Sequence, residues 1–461
     1  MIFDKFKEEC GVAGVYGDSE AANLVYLCLY SLQHRGQEGA GIATFDGNNI
    51  HCEKGLGLVS DIFTEDVISK LEGNFAIGHN RYSTSGANLL KNTQPIVAEI
   101  NKGQIAIAHN GNIVNACDIR DKLVNEGSIF TSTSDSEIII HLIANSKRSS
   151  IVDAIIDSLK LLKGGYSLIF MTEKSMVGVR DPFGIRPLLL GKIRTGYVLV
   201  SETCALDLIE AEFIREVEPG EMVIIGEHGI NSLKPFEECV PRPCIFEYIY
   251  FARPDSTIFG NFVYDVRKKL GEKLAEENPV EADIVIPVPD SGVVATLGYS
   301  EKSGIPFELG LIRNHYVGRT FIEPGQSIRH FGVKVKLNPV KSVIKDKRVV
   351  VVDDSIVRGT TSRKIVKMLR EAGAREIHFR VSSPPTRFPC FYGIDTPTRK
   401  ELIASTHDIE EIRKYITADS LGYLSLQGLA NCVDCMTYCD ACFSGDYPTL
   451  HLEDDYNPKL R

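Results

Sequence analysis

Tryptophan is missing from this 461-residue chain, and by itself that excludes nothing. Other absences exclude more. No run of about eighteen apolar residues occurs, the length a membrane-spanning helix needs. The start, MIFDKFKEE, is charged almost at once and has no apolar core, so it is not a secretory signal. The expected compartment is the cytoplasm, with no membrane partner. There is no long run of either charge, although the formal net charge is −10. A general nucleic-acid or membrane surface is therefore not expected, whereas a local basic pocket for a phosphorylated substrate is compatible with the balance. Internal repeats and low-complexity segments are absent as well.

What is present suits a chain with more than one core. Hydrophobic residues at 43% and charged residues at 24% are ordinary for packed domains. The length exceeds what one core supports, so two or three domains are expected. Twelve cysteines in a reducing compartment favour metal or catalytic roles over disulfides. Cys28, inside the apolar helical run from Ala21 to Leu32, reads as a core residue.

Residues 10–235 mix short β-branched runs, many glycines and two amphipathic stretches. A proline-marked passage from Pro235 to Pro243 reads as a domain junction. Beyond it the texture becomes strand, loop, helix. Asp283 to Val288 reads as a buried strand stopping at Pro289, and Arg348 to Val352 as another. The helix after the second carries Ile365, Met368, Leu369 and Ala372 at helical spacing. Such alternation indicates a parallel sheet. The expected division is a propeptide at 1–9, domains at 10–235 and 244–420, and a cysteine-rich tail at 421–461.

The most specific segment is Val349 to Thr361, VVVVDDSIVRGTT. Four valines make a buried strand with two carboxylates at its carboxyl end, followed by a glycine and hydroxyl residues that open a helix. Open α/β sheets bind ligands at that place. Backbone N–H groups of the loop and helix N-terminus can hold a phosphate dianion there. Two aspartates alone would read as turn and N-cap residues. The whole string, however, resembles the phosphoribosyltransferase fingerprint. A second strand end, Pro287-Val288-Pro289-Asp290-Ser291-Gly292, resembles the pyrophosphate-side loop of such enzymes. The resemblance implies that Ser355, Arg358, Gly359, Thr360 and Thr361 bind substrate. It also places Ser291, Asp353 and Asp354 at Mg²⁺, with the aspartates beside ribose hydroxyls or the metal rather than the phosphate. Between these loops, Arg313 to Asn338 is rich in arginine, glycine and aromatics. It reads either as a solvated loop or as a flap whose arginines and Lys336 cover an anionic substrate and exclude water.

A different series precedes it. Cys10-Gly11 gains meaning from His34-Arg35-Gly36-Gln37-Glu38-Gly39, Gly78-His79-Asn80-Arg81-Tyr82-Ser83-Thr84, His109-Asn110-Gly111-Asn112 and Ser134-Asp135-Ser136-Glu137, in that order. The series resembles the N-terminal-nucleophile glutamine amidotransferases over roughly residues 10–235. A nucleophile that is the first residue can use its own α-amine, titrating near about 7.7–8.0, as general base. An internal Cys10 has no such amine, so Met1 to Glu9 is expected to be removed. By resemblance, Cys10 attacks the glutamine amide carbon, and Asn110 with the Gly111 N–H forms the oxyanion hole. Arg81 and Asp135 match the clamps for the substrate's carboxylate and amino group, and Arg35 is a weaker match to a substrate-binding residue.

Cys432-x-x-Cys435 and Cys439-x-x-Cys442 share one short segment, with Cys244 and Cys390 far away in sequence. Such pairs are compatible with zinc and with an iron–sulfur cluster.

Taken together, the two halves resemble the amidophosphoribosyltransferases. The fold implied is an αββα sandwich of the N-terminal-nucleophile hydrolase type followed by a type I phosphoribosyltransferase α/β domain. The activity implied is glutamine hydrolysis whose ammonia displaces pyrophosphate from phosphoribosyl pyrophosphate, giving 5-phosphoribosylamine in the first committed step of purine synthesis. The cluster-bearing branch is implied too, with a [4Fe–4S] group on Cys244, Cys390, Cys439 and Cys442, and with Cys432 and Cys435 competing. A homo-oligomer, a tetramer, and feedback inhibition by purine nucleotides are further implications. Two rivals are a glutamine-dependent aminosugar or asparagine synthase and a non-enzymatic sensor of phosphoribosyl pyrophosphate. The phosphoribosyl loop argues against the first, and the joint presence of Cys10, Arg81, Asn110 and Asp135 against the second.

Overall fold

The computed structural model describes residues 10–82, 89–314, 337–433 and 437–449. The leader 1–9, Ser83 and Thr84, Lys336 with most of the expected flap, and Cys435 lie outside the described residues.

The first half is two antiparallel sheets between two helical layers. The seven-stranded sheet runs Glu212–Glu216, Leu189–Lys192, Tyr197–Val200, Gly11–Tyr16, Phe75–Arg81, Gly39–Phe45, Ile50–Leu56. The six-stranded sheet runs Gly229–Leu233, Met222–Gly226, Ser175–Arg180, Gly164–Thr172, Gly103–Ile113, Ile96–Ile100. Side chains alternate across a strand, and here both faces are covered. In Gly11–Tyr16, Ala13 and Val15 face the helix Ala21–Ser31, against Val25, Cys28 and Leu29. Val12 faces the other way, into a layer shared with Ala106, Ala108, Ile169 and Met171 of the second sheet. The far face of that sheet packs Ile107, Leu168 and Phe170 on the helices Glu137–Asn145 and Ile151–Leu159. This is the expected αββα sandwich, and Cys28 is in its core.

The second half centres on a four-stranded parallel sheet in the order Ile284–Pro287, Arg348–Asp353, Glu376–Val381, Ser420–Tyr423. The valine run of the second strand is divided between two cores. Val350 and Val352 pack with the helices Val263–Glu277 and Val293–Ser303, while Val349 and Val351 pack with Thr360–Glu371 and Ile409–Ile416. Because every strand is parallel, all carboxyl ends lie at one edge. The strand Ser420–Tyr423 crosses the boundary expected at residue 420, so the sheet extends further into the tail than the sequence suggested. Its Ser-Leu-Gly-Tyr composition lacks the β-branched residues that marked the others.

Between Leu233 and Glu247 the chain forms neither helix nor an extended strand, and Glu237 to Pro241 are exposed. Afterwards it returns to the first half, where the Cys244 N–H donates to the Ile185 carbonyl at 3.1 Å. Ile185 and Val114 belong to the same buried cluster as Phe246, Tyr248 and Tyr392. The tail crosses this junction: the Cys439 N–H donates to the Pro243 carbonyl at 2.9 Å, and the Tyr447 hydroxyl to that of Pro389 at 2.5 Å.

Helices Val263–Glu277 and Val293–Ser303 meet backbone to backbone. A Cβ on Gly271 would lie 1.8 Å from the Ala295 oxygen, and one on Gly298 2.0 Å from that of Lys268. Helix propensity alone favours alanine over glycine by about 0.8–1.0 kcal/mol. Overpacking at this contact, of order 1–3 kcal/mol or more, should outweigh that gain. Gly298→Ala is therefore expected to lower the denaturant midpoint, and a midpoint at or above that of the parent chain would contradict the packing.

Candidate active sites

The first site gathers at one end of both sheets of the sandwich. Cys10 immediately precedes the central strand Gly11–Tyr16 and is buried, its thiol 3.5 Å from the Tyr82 carbonyl oxygen. The neighbouring strand runs antiparallel, so its last residue, Arg81, arrives at the same end. Burial pulls the Arg81 pKa down, while the charges of Cys10, Glu38 and Asp135 oppose that pull, which places all three around its guanidinium. The second sheet contributes Asn110 and Gly111. Both polar atoms of the Asn110 side chain are buried without a hydrogen-bond partner among the described residues. Such a group costs free energy unless a ligand satisfies it. Gly111 has φ +140°, and a Cβ there would lie 2.1 Å from the Gly165 oxygen. Only glycine fits that position.

Asp135 joins the group beside Arg81. Its Oδ2 accepts the Ile113 N–H at 3.0 Å. The loop that carries it is held by residues the motifs did not flag. Arg120 donates to the carbonyls of Ser132 at 3.0 Å and Ser134 at 2.7 Å. Gln94 accepts the His109 N–H at 2.8 Å and donates to the Ser136 hydroxyl at 3.0 Å. Burial pushes His79 down to about 3, so it is a neutral ring next to the His109 carbonyl, at 3.0 Å.

Arg35 corrects an expectation. Its side chain is wholly buried, with Nε donating to the Cys10 carbonyl at 3.2 Å and Nη2 to Glu247 Oε1 at 2.7 Å. Nη1 pairs with Glu202. It therefore lies against the Cys10 backbone, sealed from solvent and engaged by two carboxylates. Glu202, Glu247 and Arg186 escaped sequence reasoning because their partners are distant along the chain.

The second site lies at the carboxyl edge of the parallel sheet. Asp353 ends the strand Arg348–Asp353 and Asp354 follows it, each 1% exposed. The Asp354 N–H donates to Asp353 Oδ1 at 3.0 Å, and Asp354 in turn accepts the hydroxyls of Ser291, at 2.5 Å, and Ser355. The three residues grouped by resemblance for Mg²⁺ thus converge. Among the described residues no three His, Cys, Asp or Glu side chains are arranged to hold a single metal ion by themselves. Gly359, at φ +76°, turns the loop into the twelve-residue helix Thr360–Glu371, whose first N–H groups face the loop from Ser355. Arg358 pairs with Glu401 at 3.0 Å.

Three of the four cysteines assigned by resemblance, Cys244, Cys439 and Cys442, are buried, and Cys390 is partly so. Cys244 and Cys439 face each other in a β-bridge. The Cys442 thiol is pushed well up by burial and then by the nearness of Cys244, Cys390 and Cys439, so all four are neighbours. Cys439 is pushed up to about 12, again by burial and by Cys390. Four crowded buried thiols repel as thiolates unless a multivalent cation joins them. Cys432 stands apart: its thiol donates to the Gly428 carbonyl at 3.1 Å, and its nearest charges are Lys269, Lys273, Glu277 and Glu272.

Fold and sites define a glutamine amidotransferase of the N-terminal-nucleophile type joined to a phosphoribosyltransferase. Known families divide the chain in the same way. The glutamine amidotransferase domain family matches residues 79–207, and the phosphoribosyl transferase domain family residues 258–383. The chain is 56% identical over 448 residues to the chloroplastic amidophosphoribosyltransferase of Glycine max, covering 96% of this chain and 79% of that one. Glutamine phosphoribosylpyrophosphate amidotransferase from B. subtilis, solved with ADP and GMP, is 50% identical with a TM-score of 0.93, covering 98% of this chain and 100% of that one. A solved allosteric regulatory enzyme of purine biosynthesis is 51% identical, also at 0.93, over 98% of both chains. The chain belongs to the amidophosphoribosyltransferase family.

Proposed function

We propose that glutamine hydrolysis at Cys10 supplies ammonia that displaces pyrophosphate from phosphoribosyl pyrophosphate, giving 5-phosphoribosylamine for purine synthesis. The observation that carries this reading is the presence, in one chain, of an Asn110 amide unpartnered among the described residues at the sheet end that holds Cys10, Arg81 and Asp135, and of the carboxylate-and-loop site at the parallel sheet edge.

In the first half-reaction Arg81 holds the glutamine α-carboxylate and Asp135 its α-amino group. The Cys10 sulfur attacks the amide carbon, and the developing oxyanion accepts hydrogen bonds from Asn110 Nδ2–H and the Gly111 N–H. Each such donor is worth about a hundred- to a thousandfold in rate. Collapse expels ammonia and leaves a thioester, which water hydrolyses to glutamate and free thiol. The α-amine of Cys10, exposed once residues 1–9 are removed, takes the thiol proton and returns it to the leaving nitrogen.

In the second half-reaction the ammonia nitrogen bonds to ribose C1 as the C1–pyrophosphate bond breaks, and the nitrogen then loses a proton. Ser355, Arg358, Gly359, Thr360 and Thr361 hold the 5-phosphate, with Arg358 leaving Glu401 to do so. The aspartates accept ribose hydroxyls, and Lys336 covers the pyrophosphate. Ser291, Asp353 and Asp354 would hold Mg²⁺, which neutralises the departing pyrophosphate. Cys244, Cys390, Cys439 and Cys442 would hold a [4Fe–4S] cluster that pins the tail across the junction, contributing metal-binding free energy to folding. The domains proposed are 10–235 and a second beginning at 244, with a cytoplasmic homotetramer as the working form. Regulation by purine nucleotides is proposed from the ADP and GMP in the related B. subtilis structure.

Cys10→Ala is expected to abolish glutamine-dependent synthesis while sparing synthesis from free ammonia at raised pH. Equal loss of both would sink the two-site reading. Anaerobically purified protein should be brown, with iron and sulfide near about four each per chain, and a colourless, active preparation with one zinc would refute the cluster.

A further inference from the structure

Arg35 lies between carboxylates from both halves of the molecule, Glu202 from the first and Glu247 from the second, and all three side chains are inaccessible to solvent. Glu202 is fixed in turn by the second half, accepting the Arg253 N–H at 2.9 Å and the Ser256 hydroxyl at 2.7 Å. The Arg35 side chain carries this arrangement to the nucleophile, since its Nε holds the Cys10 carbonyl.

Glu247 reaches the opposite wall of the chamber as well. It pairs with Arg186 Nη1 at 3.5 Å, and Arg186 Nε donates to the Tyr392 carbonyl at 2.8 Å. On either side of Tyr392 the chain touches the oxyanion strand. The Asn112 amide donates to the Phe391 carbonyl at 2.9 Å, and a Cβ on Gly393 would lie 3.0 Å from the Gly111 Cα. One carboxylate is therefore tied to Cys10 through Arg35 and, through Arg186 and the 391–393 segment, to Gly111 and Asn112 on the strand that carries Asn110.

We infer that Glu247, a residue of the phosphoribosyl half, is a positioning residue for glutamine hydrolysis, setting the nucleophile relative to the oxyanion hole. The inference rests on the glutaminase reading of the Cys10 chamber. It also means that this chamber is completed by the other half of the chain. The hydrogen bonds of Glu247 described above run to Arg35 and Arg186, on the side of Cys10, so its influence should fall on glutamine hydrolysis. Misplacement of a reacting group by about 1 Å costs on the order of a hundredfold in rate.

The primary variant is Glu247→Asp, which keeps the buried charge but withdraws it by about 1.5 Å, one carbon–carbon bond. The full-length protein is assayed for glutaminase, for ammonia-dependent synthesis and for thermal midpoint. Glutaminase kcat is expected to fall on the order of a hundredfold, with KM for glutamine and ammonia-dependent synthesis within about twofold, the pattern of a lost transition-state interaction. Arg35→Lys keeps the charge but loses the Nε donor and should reproduce the effect. The double variant should be no worse than the poorer single one, as expected for residues acting through one contact. If Glu247→Asp does not fold, Arg35→Lys decides alone. Unchanged glutaminase kcat in either variant, equal loss of both activities, or multiplicative losses in the double variant would overturn the inference. A parent chain without glutaminase activity would instead overturn the reading on which it rests.

Discussion

A guanidinium sealed between two carboxylates governs how the halves of this molecule meet. Arg35 and Glu202 come from the sandwich and Glu247 from the start of the phosphoribosyl half, with no solvent at any of the three side chains. A buried charge is tolerable only when paired and hydrogen-bonded. Here the Arg35–Glu247 pair exists only in the docked arrangement, and removing one partner from such a pair typically costs about 3–5 kcal/mol. Burial alone would raise the Glu202 pKa, but His34 and Arg35 hold it well below the usual carboxylate range. Its stabilising contribution is therefore present above the unfolded value of about 4.3 and is lost as pH falls through the depressed folded value.

The same junction borders the second site. Glu247 opens the short helical turn Glu247–Phe251, and the buried Arg267 donates to the carbonyls of Tyr248 within it, at 2.7 Å, and of Ala252 just after it, at 2.8 Å. Burial pushes Arg267 down to about 10, and the first charge opposing that shift is Asp354. The carboxylates at the phosphoribosyl edge thus lie one arginine from the turn that secures Arg35. Beside that turn, Cys244 meets Cys439, and Tyr392 follows Cys390 by two residues. Glutamine chemistry, phosphoribosyl chemistry and the cysteine group share one stretch of buried backbone.

Much of this was legible in the sequence where the signal is local. The valine run ending in Asp353-Asp354 announced a buried strand with a ligand edge, because residue type and period settle that within a few positions. The order of several motifs singled out Cys10, Arg81, Asn110 and Asp135, and the fold brings them to one end of the sandwich. Arg35 was misread because its neighbours in sequence suggest substrate while its partners lie 167 and 212 residues away. Ion pairs across such separations leave no periodicity. The strand Ser420–Tyr423 was missed for a different reason: its pairing with Glu376–Val381, rather than its composition, makes it a strand.

The central claim is that the two halves form one cooperative unit through this buried junction. Native-state hydrogen exchange across low denaturant concentrations tests it most directly, by following the amides of Gly11–Tyr16 beside the nucleophile and of Arg348–Asp353 in the parallel sheet. Strands in one cooperative unit open with the same free energy and denaturant dependence. The account predicts that both strands open together. Full exchange of Arg348–Asp353 while Gly11–Tyr16 remains protected, or the reverse, would contradict it.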